Sequence, residues 1–249
     1  MRLRTRRATV LEKYDALAEK IDNNSIGLED LLKKALHDKS PRVRWLAADS
    51  VGKKRFASLV PDLMAILETT DSITRRYSIR SIGDLAVDKS DTRKLLKFLN
   101  DPDELVRVET AGVLGILGTR LSVKPLLNAL SDESELVRSN AVYSLGTLGT
   151  SKNIATIEKY LALEDSDMAK VDFYGTLYTL GRTHYLSSLL GMLENNDWAV
   201  RNSTLHTLFD LSLLDGDKSS VIKEVRGLLR KEKQEDVIAS ANDLLVSLS

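Results

Sequence analysis

The sequence contains no cysteine in its 249 residues, which excludes disulfide bonds, thiolate metal ligands and a cysteine nucleophile. It also has no excess of charge, because 36 basic residues balance 36 acidic ones. A nucleic-acid-binding protein normally carries a basic excess that displaces counterions from phosphates. The balance therefore argues against nucleic acid as the partner.

Long apolar runs and catalytic motifs are missing as well. No stretch approaches the length needed to cross a bilayer, and the arginine-rich start (Met1 to Arg7) is not followed by the apolar region of a secretory signal. The sequence has no His-Glu-x-x-His zinc motif, no glycine-rich phosphate loop and no nucleophile elbow. We therefore expect a cytoplasmic protein that is not an enzyme, is not membrane-bound and has no cofactor or metal.

A short string does recur along the chain. Leu-Val-Arg precedes a glycine by eight residues at Arg107 and at Arg138, and looser copies surround five further positions. We call these seven positions the anchors: Arg44, Arg75, Arg107, Arg138, Lys170, Arg201 and Ile238. Successive anchors lie 31, 32, 31, 32, 31 and 37 residues apart. Such a period is typical of stacked repeats that bury their apolar faces against their neighbours.

Each repeat has the pattern of two helices. In the fourth, Leu126 and Leu130 share one helical face, a polar turn follows, and Val137, Ala141 and Leu145 then form a second apolar stripe. Residues 1–26 are expected to form an N-terminal arm and a capping helix, and residues 27–249 a single continuous repeat domain. The pattern thus predicts an all-α protein of about seven two-helix repeats.

The repeat residues resemble a known family. Val60-Pro61 with Leu63 and Leu67, followed by an acidic turn and Val-Arg-x-x-Ala-x-x-x-Leu-Gly, is similar to HEAT repeats, in particular the short phycobilisome-lyase-like subgroup. The resemblance implies an armadillo-like, right-handed α-α superhelix. It also implies that turn acids pair with anchor arginines in ladders across the stack, to which we assign Asp38 with Arg44, Asp101 with Arg107, and Asp132 with Arg138.

Helical phase suggests which side chains point away from the core. Positions 1, 4, 5 and 8 after each anchor lie opposite the apolar stripe, on helices that line the concave face of a solenoid. These positions are rich in aromatic residues, which favour protein interfaces. We therefore predict that the partner-binding residues are Trp45, Arg76, Arg80, Tyr143, Tyr174, Tyr178, His206 and Phe209. The alternative is that these rings pack between adjacent helices.

The leading functional hypothesis is a non-enzymatic scaffold that binds a partner protein or peptide on its concave face. A toxin-immunity type of inhibitor is one special case. A bilin lyase-like or chaperone-like partner of a chromoprotein is a second hypothesis, which the resemblance permits. A third is a DNA-binding protein similar to the alkylpurine glycosylases built from such repeats, with Asp49 or Asp243 as the acid. The neutral charge argues against the third.

Overall fold

The structure is a computed structural model that describes residues 9–68, 71–85, 92–211 and 218–248. The first part of the predicted N-terminal arm lies outside these ranges. The described residues form fifteen α-helices, joined by turns and short 3-10 segments, and contain no β-strand. Contacts group the chain into two compact units, Met1–Thr119 and Arg120–Ser249. That residues 27–249 form one continuous domain stays a prediction.

Unit 1 consists of one single helix and three helix pairs. The single helix, α1, spans Val10–Asp22, and its Thr9 and Glu12 form a capping box that satisfies free backbone amides at the start. The pairs are α2 (Leu28–Leu36) with α3 (Pro41–Lys53), α4 (Val60–Ile66) with α5 (Ser72–Asp84), and α6 (Thr92–Leu95) with α7 (Glu104–Leu117). A 3-10 turn, Leu96–Asn100, extends α6.

Unit 2 consists of four helix pairs. They are α8 (Val123–Ala129) with α9 (Glu135–Leu148), α10 (Ile154–Leu161) with α11 (Asp167–Thr179), α12 (Tyr185–Gly191) with α13 (Trp198–Leu211), and α14 (Lys218–Leu229) with α15 (Glu235–Ser247). The prediction of an all-α fold built from about seven two-helix repeats is confirmed. In each pair we call the later element the second helix.

The polar turn inside each repeat starts its second helix. The Ser134 hydroxyl accepts a hydrogen bond from the amide of Val137, and the Ser166 hydroxyl accepts one from Ala169, so both serines cap a helix whose first amides have no partner within it. Asp103 does the same for α7. The predicted apolar stripe of α9 faces inward, because Val137, Ala141 and Leu145 are fully buried.

Second helices of consecutive repeats pack side by side within each unit. In unit 1, α3 packs against α5 and α5 against α7; in unit 2, α9 packs against α11 and α11 against α13. The recurrent glycine permits this contact. A Cβ atom at Gly83 would lie 2.6 Å from Cγ2 of Val113 on the next second helix. At Gly52 it would lie 2.6 Å from the hydroxyl of Ser81. The close packing expected from the repeated glycines is therefore present.

Side-chain hydroxyl groups also form hydrogen bonds between neighbouring second helices. Ser81 Oγ donates to the carbonyl oxygen of Ala48 at 2.7 Å, from α5 to α3. Thr176 Oγ1 donates to the carbonyl oxygen of Val142 at 2.9 Å, from α11 to α9. Each bond lies beside a glycine of the earlier helix, so a small residue and a hydroxyl together define the distance between neighbouring second helices.

The anchor arginines link consecutive repeats through their side chains. Arg75 donates from Nε and Nη2 to the carboxylate of Asp101 at 2.8 and 2.7 Å, and Arg138 does the same to Glu164 at 2.6 and 2.7 Å. Such two-point pairing is the strong geometry for a guanidinium and a carboxylate. Each acid belongs to the turn of the following repeat. We call this set of pairs the ladder.

Two more ladder pairs follow the same pattern. Arg44 Nη2 lies 3.1 Å from Asp71, and Arg201 holds Glu232 with two bonds of 2.6 and 2.9 Å. The hydrogen bonds from Arg201 lower the pKa of Glu232 to about 2, with a further contribution from backbone amides. This carboxylate therefore stays ionised at every physiological pH.

The pairs assigned from the family resemblance are wrong as side-chain pairs. Arg44, Arg107 and Arg138 each donate through Nη1 to the backbone carbonyl of the assigned acid in their own turn, at 2.8, 2.9 and 2.9 Å. The carboxylate of Asp101 instead binds the preceding anchor, Arg75. The carboxylate of Asp38 binds Lys13 of α1 at 2.8 Å. The Nη1 atom of the guanidinium thus bonds to backbone carbonyls of its own turn, and the remaining donors can reach the carboxylate of the next repeat.

The glycine contact yields a test. Gly83→Ala should lower the free energy of unfolding by about 1 to 3 kcal/mol, because the added methyl must displace Val113 in a packed interior. Gly227→Ala is the matched control, since no atom lies within 4 Å of the added carbon. It should instead stabilise the protein by about 1 kcal/mol through helix propensity. Urea unfolding measures both, and equal effects of the two substitutions would contradict the packing described.

The ladder yields a second test. Asp101→Ala should cost about 3 to 5 kcal/mol, because it removes the carboxylate that holds the guanidinium of Arg75 where that side chain is only 9% exposed. Glu68→Ala removes an equivalent carboxylate from Lys97, but in that pair the side chains are 70% and 57% exposed. The control should cost less than about 1 kcal/mol. Thermal or urea unfolding of both variants decides whether burial of the pair matters.

Candidate functional site

The second helices have one side that is covered neither by the first helices nor by their neighbours. We call it the open face, and it is formed by positions 5 and 9 after each anchor, with positions 1 and 2 at its start and with position 8 where that residue is exposed, as at Phe209 and Val246. Position 4 does not belong to it. Ile79, Val142 and Leu205 occupy that position and are fully buried. The prediction that position 4 points outward is wrong, because the adjacent second helix covers that side.

In unit 1 the open face carries a row of three aromatic rings. Trp45 of α3 stacks on Tyr77 of α5 with ring centroids 5.1 Å apart, and Tyr14 of α1 lies 6.0 Å from Trp45 on its other side. Arg42 covers the ring of Tyr14 at 4.7 Å. We call Tyr14, Trp45 and Tyr77 the aromatic row. It joins the capping helix to the first two repeats.

Charges beside the aromatic row are already compensated. Arg80 donates to Glu109 of α7 at 3.1 and 2.8 Å, and Arg76 lies 3.6 Å from the same carboxylate. These hydrogen bonds raise the pKa of Arg80. Asp49, proposed as an acid, is nearly buried and pairs with Lys53 at 2.6 Å. The open face of unit 1 is thus aromatic and close to neutral.

In unit 2 the open face contains an acidic pocket of about 260 Å³. It lies across α9, α11 and α13, with Tyr143 at one edge and two carboxylates, Asp172 and Asp210, in its wall. Apart from Leu211, the remaining lining is small or hydroxylated: Gly146, Thr147, Gly175, Thr176, Thr179 and Thr207. Tyr143 is 57% exposed, although it is one of the larger apolar side chains of the unit.

The electrostatics of the acidic pocket differ from those of unit 1. Burial raises the pKa of Asp172 to about 6, against the opposing effect of a hydrogen bond from Ser139. Burial also raises the pKa of Tyr143, with smaller effects from the charges of Asp210 and Asp172. Within the described ranges, neither Asp172 nor Asp210 forms an ion pair. The pocket therefore holds negative charge that the rest of its unit does not neutralise.

A second concavity lies further along unit 2, between α13 and α15. This groove of about 470 Å³ is lined by Leu205, His206, Phe209, Ser240, Asp243, Val246 and Ser247. Phe209 is 41% and Val246 76% exposed, so the groove presents apolar surface to solvent. His206 is exposed, and Asn202 lies 3.4 Å from its Nε2 atom.

Two of the candidate tyrosines lie on another side of α11. Tyr174 stacks on Tyr185 of α12 at 5.8 Å and packs against the apolar core of the unit. Helical residues advance by about 100° each, which places Tyr174 roughly opposite Asp172. Tyr178, one turn later, is half-buried. The structure thus separates Tyr174 from Tyr143, whereas His206 and Phe209 share a groove.

Four residues of the open face were missed from the sequence: Tyr14, Tyr77, Asp172 and Asp210. Tyr77 and Asp172 stand two residues after an anchor, and Asp210 stands nine after one. The centre of the open face lies near positions 5 and 9 after each anchor. A helical phase centred on these two positions would have assigned position 2 to the open face and excluded position 4 from it. Tyr14 carries no such signal because it precedes the first repeat.

Two further findings concern metal sites and membrane-spanning helices in the described part of the chain. No three histidine, aspartate or glutamate side chains there come together as a metal site would need. Among the described helices, none combines the length and the apolar character required to cross a bilayer.

The carboxyl group of Asp172 makes stability depend on pH. Its folded pKa of about 6 exceeds the ordinary value of 3.8, so the folded state holds the proton more tightly. This contribution to stability is complete below pH 3.8 and is lost as pH rises through about 6, by at most about 3 kcal/mol. We expect the unfolding free energy of the wild type, relative to Asp172→Asn, to fall between these limits. Urea unfolding across this range measures it, and a constant difference would refute it.

Comparisons with known proteins agree with this architecture. A family model described as HEAT repeats matches residues 28–93 and 92–171. The structure of the CpcE–CpcF complex of phycocyanin lyase from Nostoc sp. PCC7120 is similar with a TM-score of 0.63 and 21% identity, over 88% of this chain and 94% of that one. The Escherichia coli protein YibA is similar with a TM-score of 0.54 and 16% identity, over 98% and 99%. No curated protein sequence matches significantly. The protein is a member of the HEAT-repeat family.

Proposed function

We propose that this protein is a non-catalytic scaffold that binds a partner protein or peptide through the open face of its second helices. The observation that carries the proposal is the exposure of large side chains on that face in unit 2. Tyr143, Phe209 and Val246 are 57%, 41% and 76% exposed, beside concavities in which a partner side chain could lie. Exposed apolar surface next to concavities is characteristic of interaction sites.

The composition of the face supports a protein partner. Tyrosine and phenylalanine offer rigid contact area with few rotatable bonds, and they concentrate where interfaces gain most of their binding energy. The chain has equal numbers of basic and acidic residues, and in unit 1 the arginines of the open face are held by Glu109. A phosphate backbone would therefore find few free cations there.

A second candidate is a role as one chain of a lyase-like assembly, or as a chaperone-like partner of a chromoprotein. The likeness to the CpcE–CpcF complex favours it, because it extends over most of both chains. This candidate requires that the chain changes the absorbance of a bilin when mixed with the pigment and an acceptor protein. An unchanged spectrum would remove it and leave the scaffold proposal standing.

The scaffold proposal is tested by removing exposed rings from the open face. Tyr143→Ala combined with Phe209→Ala should abolish retention of a stoichiometric protein partner from the lysate of the source cells. The affinity for that partner, once identified, should fall by about 2 kcal/mol or more, since truncated interface aromatics often cost this much. Affinity capture with mass spectrometry identifies the partner, and calorimetry measures the change.

The matched control is Leu163→Ala, which removes an apolar side chain that is 69% exposed in the turn between α10 and α11. It should leave partner binding unchanged. Both variants should unfold at nearly the temperature of the wild type, because the replaced side chains are exposed. Full retention of the partner by the double variant would exclude the open face of unit 2 as the binding surface.

A further inference from the structure

The acidic pocket differs from the two carboxylate sites described for the open face of unit 1. In unit 1, Asp49 has Lys53 at 2.6 Å and Glu109 has Arg80 at 2.8 Å. In unit 2, Asp172 receives only the hydrogen bond from Ser139, and no cation of the described residues pairs with it. A carboxylate that is withdrawn from water and has no cation lowers the stability of the folded chain.

The basic residues of the three helices that line the pocket are committed elsewhere. Arg138, the anchor of α9, pairs with Glu164, and Arg201, the anchor of α13, pairs with Glu232. Lys170 pairs with Asp167 at 3.0 Å. All three side chains leave their helices at the anchor position, on the side of the turns, whereas the acidic pocket is formed by positions further along. Among the described residues, none therefore supplies a cation to the pocket, which leaves room for one from a partner.

The shape of the acidic pocket specifies the kind of cation. Its volume of about 260 Å³ accommodates a long side chain rather than a bare metal ion, and its described residues include no third carboxylate or histidine that would complete a metal site. Tyr143 offers an aromatic wall to a cation or to an aliphatic stem. Threonine hydroxyls supply acceptors around the charge. These features together fit an alkylammonium or a guanidinium group.

We infer that the acidic pocket binds a lysine or arginine side chain of the partner, with the cationic group between Asp172 and Asp210 and the stem against Tyr143. The inference rests on the proposed function and adds the chemistry by which the partner is recognised. Charge complementarity of this kind fixes register and selects partners as well as adding affinity.

The test uses single amino acids as probes of the full-length chain. Nα-acetyl-arginine methylamide and its lysine counterpart are titrated while amide resonances are followed by NMR. We expect saturable shifts at Thr147, Thr176 and Thr179, which line the pocket. The citrulline analogue has the shape of arginine without its charge, and it should bind at least about tenfold more weakly, a difference of about 1.4 kcal/mol.

Variants assign the binding to the two carboxylates. Asp172→Asn with Asp210→Asn should remove the shifts and keep the fold, because asparagine retains the size of aspartate and Asp210 is exposed. Asp236→Asn, which removes an exposed acid of α15, should leave the titration unchanged. Equal binding of the citrulline analogue, shifts that persist in the double variant, or no saturable shift would each overturn the inference.

The outcome is separable from that of the scaffold test. If the partner is retained through Tyr143 and Phe209 while the cationic probes fail to bind, the acidic pocket is not the recognition site and the scaffold function stands. If the probes bind but no partner is retained, the pocket stands and the scaffold function fails. Retention of the partner by the Asp172→Asn, Asp210→Asn variant would also reject the pocket as its recognition site.

Discussion

The guanidinium at the anchor position is the group on which the stacking of repeats depends. In Arg138 the Nη1 atom donates to the carbonyl of Asp132 in its own turn, and the Nε and Nη2 atoms hold Glu164 of the next turn. One planar side chain with five donors thus fixes the shape of its own turn and the position of the following repeat. The acid in turn accepts from the amide of Ser166, so the connection continues into the next helix start.

The repeat whose anchor is Lys170 shows what the geometry requires. Lys170 has one donor group and reaches the carbonyl of Asp165 only at 3.5 Å, while its ion pair with Asp167 stays inside its own repeat. The link forward comes instead from Asn195, whose side-chain amide donates to Asp167 at 2.8 Å. The ammonium group of Lys170 does not bond to its own turn and to the following turn at once. The hydrogen bond between these two repeats is therefore donated by the later repeat to the earlier one.

Periodicity alone predicted the helix pairs, because the anchors recur every 31 to 37 residues and the apolar stripe of Val137, Ala141 and Leu145 has helical spacing. The partner of each arginine could not be predicted in this way. The sequence displays the six-residue separation of Asp101 and Arg107, whereas the contact of Arg75 with Asp101 spans 26 residues and depends on how repeats stack. Exposure was predictable for Tyr143 but not for Val142, since lateral packing of second helices decides which flank is covered.

The ladder and the acidic pocket place their carboxylates in different surroundings. Ladder acids such as Glu164 receive a guanidinium and backbone amides, which together lower the pKa despite burial. Asp172 is shielded from water without such a partner, so its ionised form costs stability in the free chain. A ligand that supplies the missing cation binds the ionised form preferentially and recovers that cost on association. A scaffold that pairs the charges of its ladder internally can therefore keep the unpaired charge of the acidic pocket for recognition.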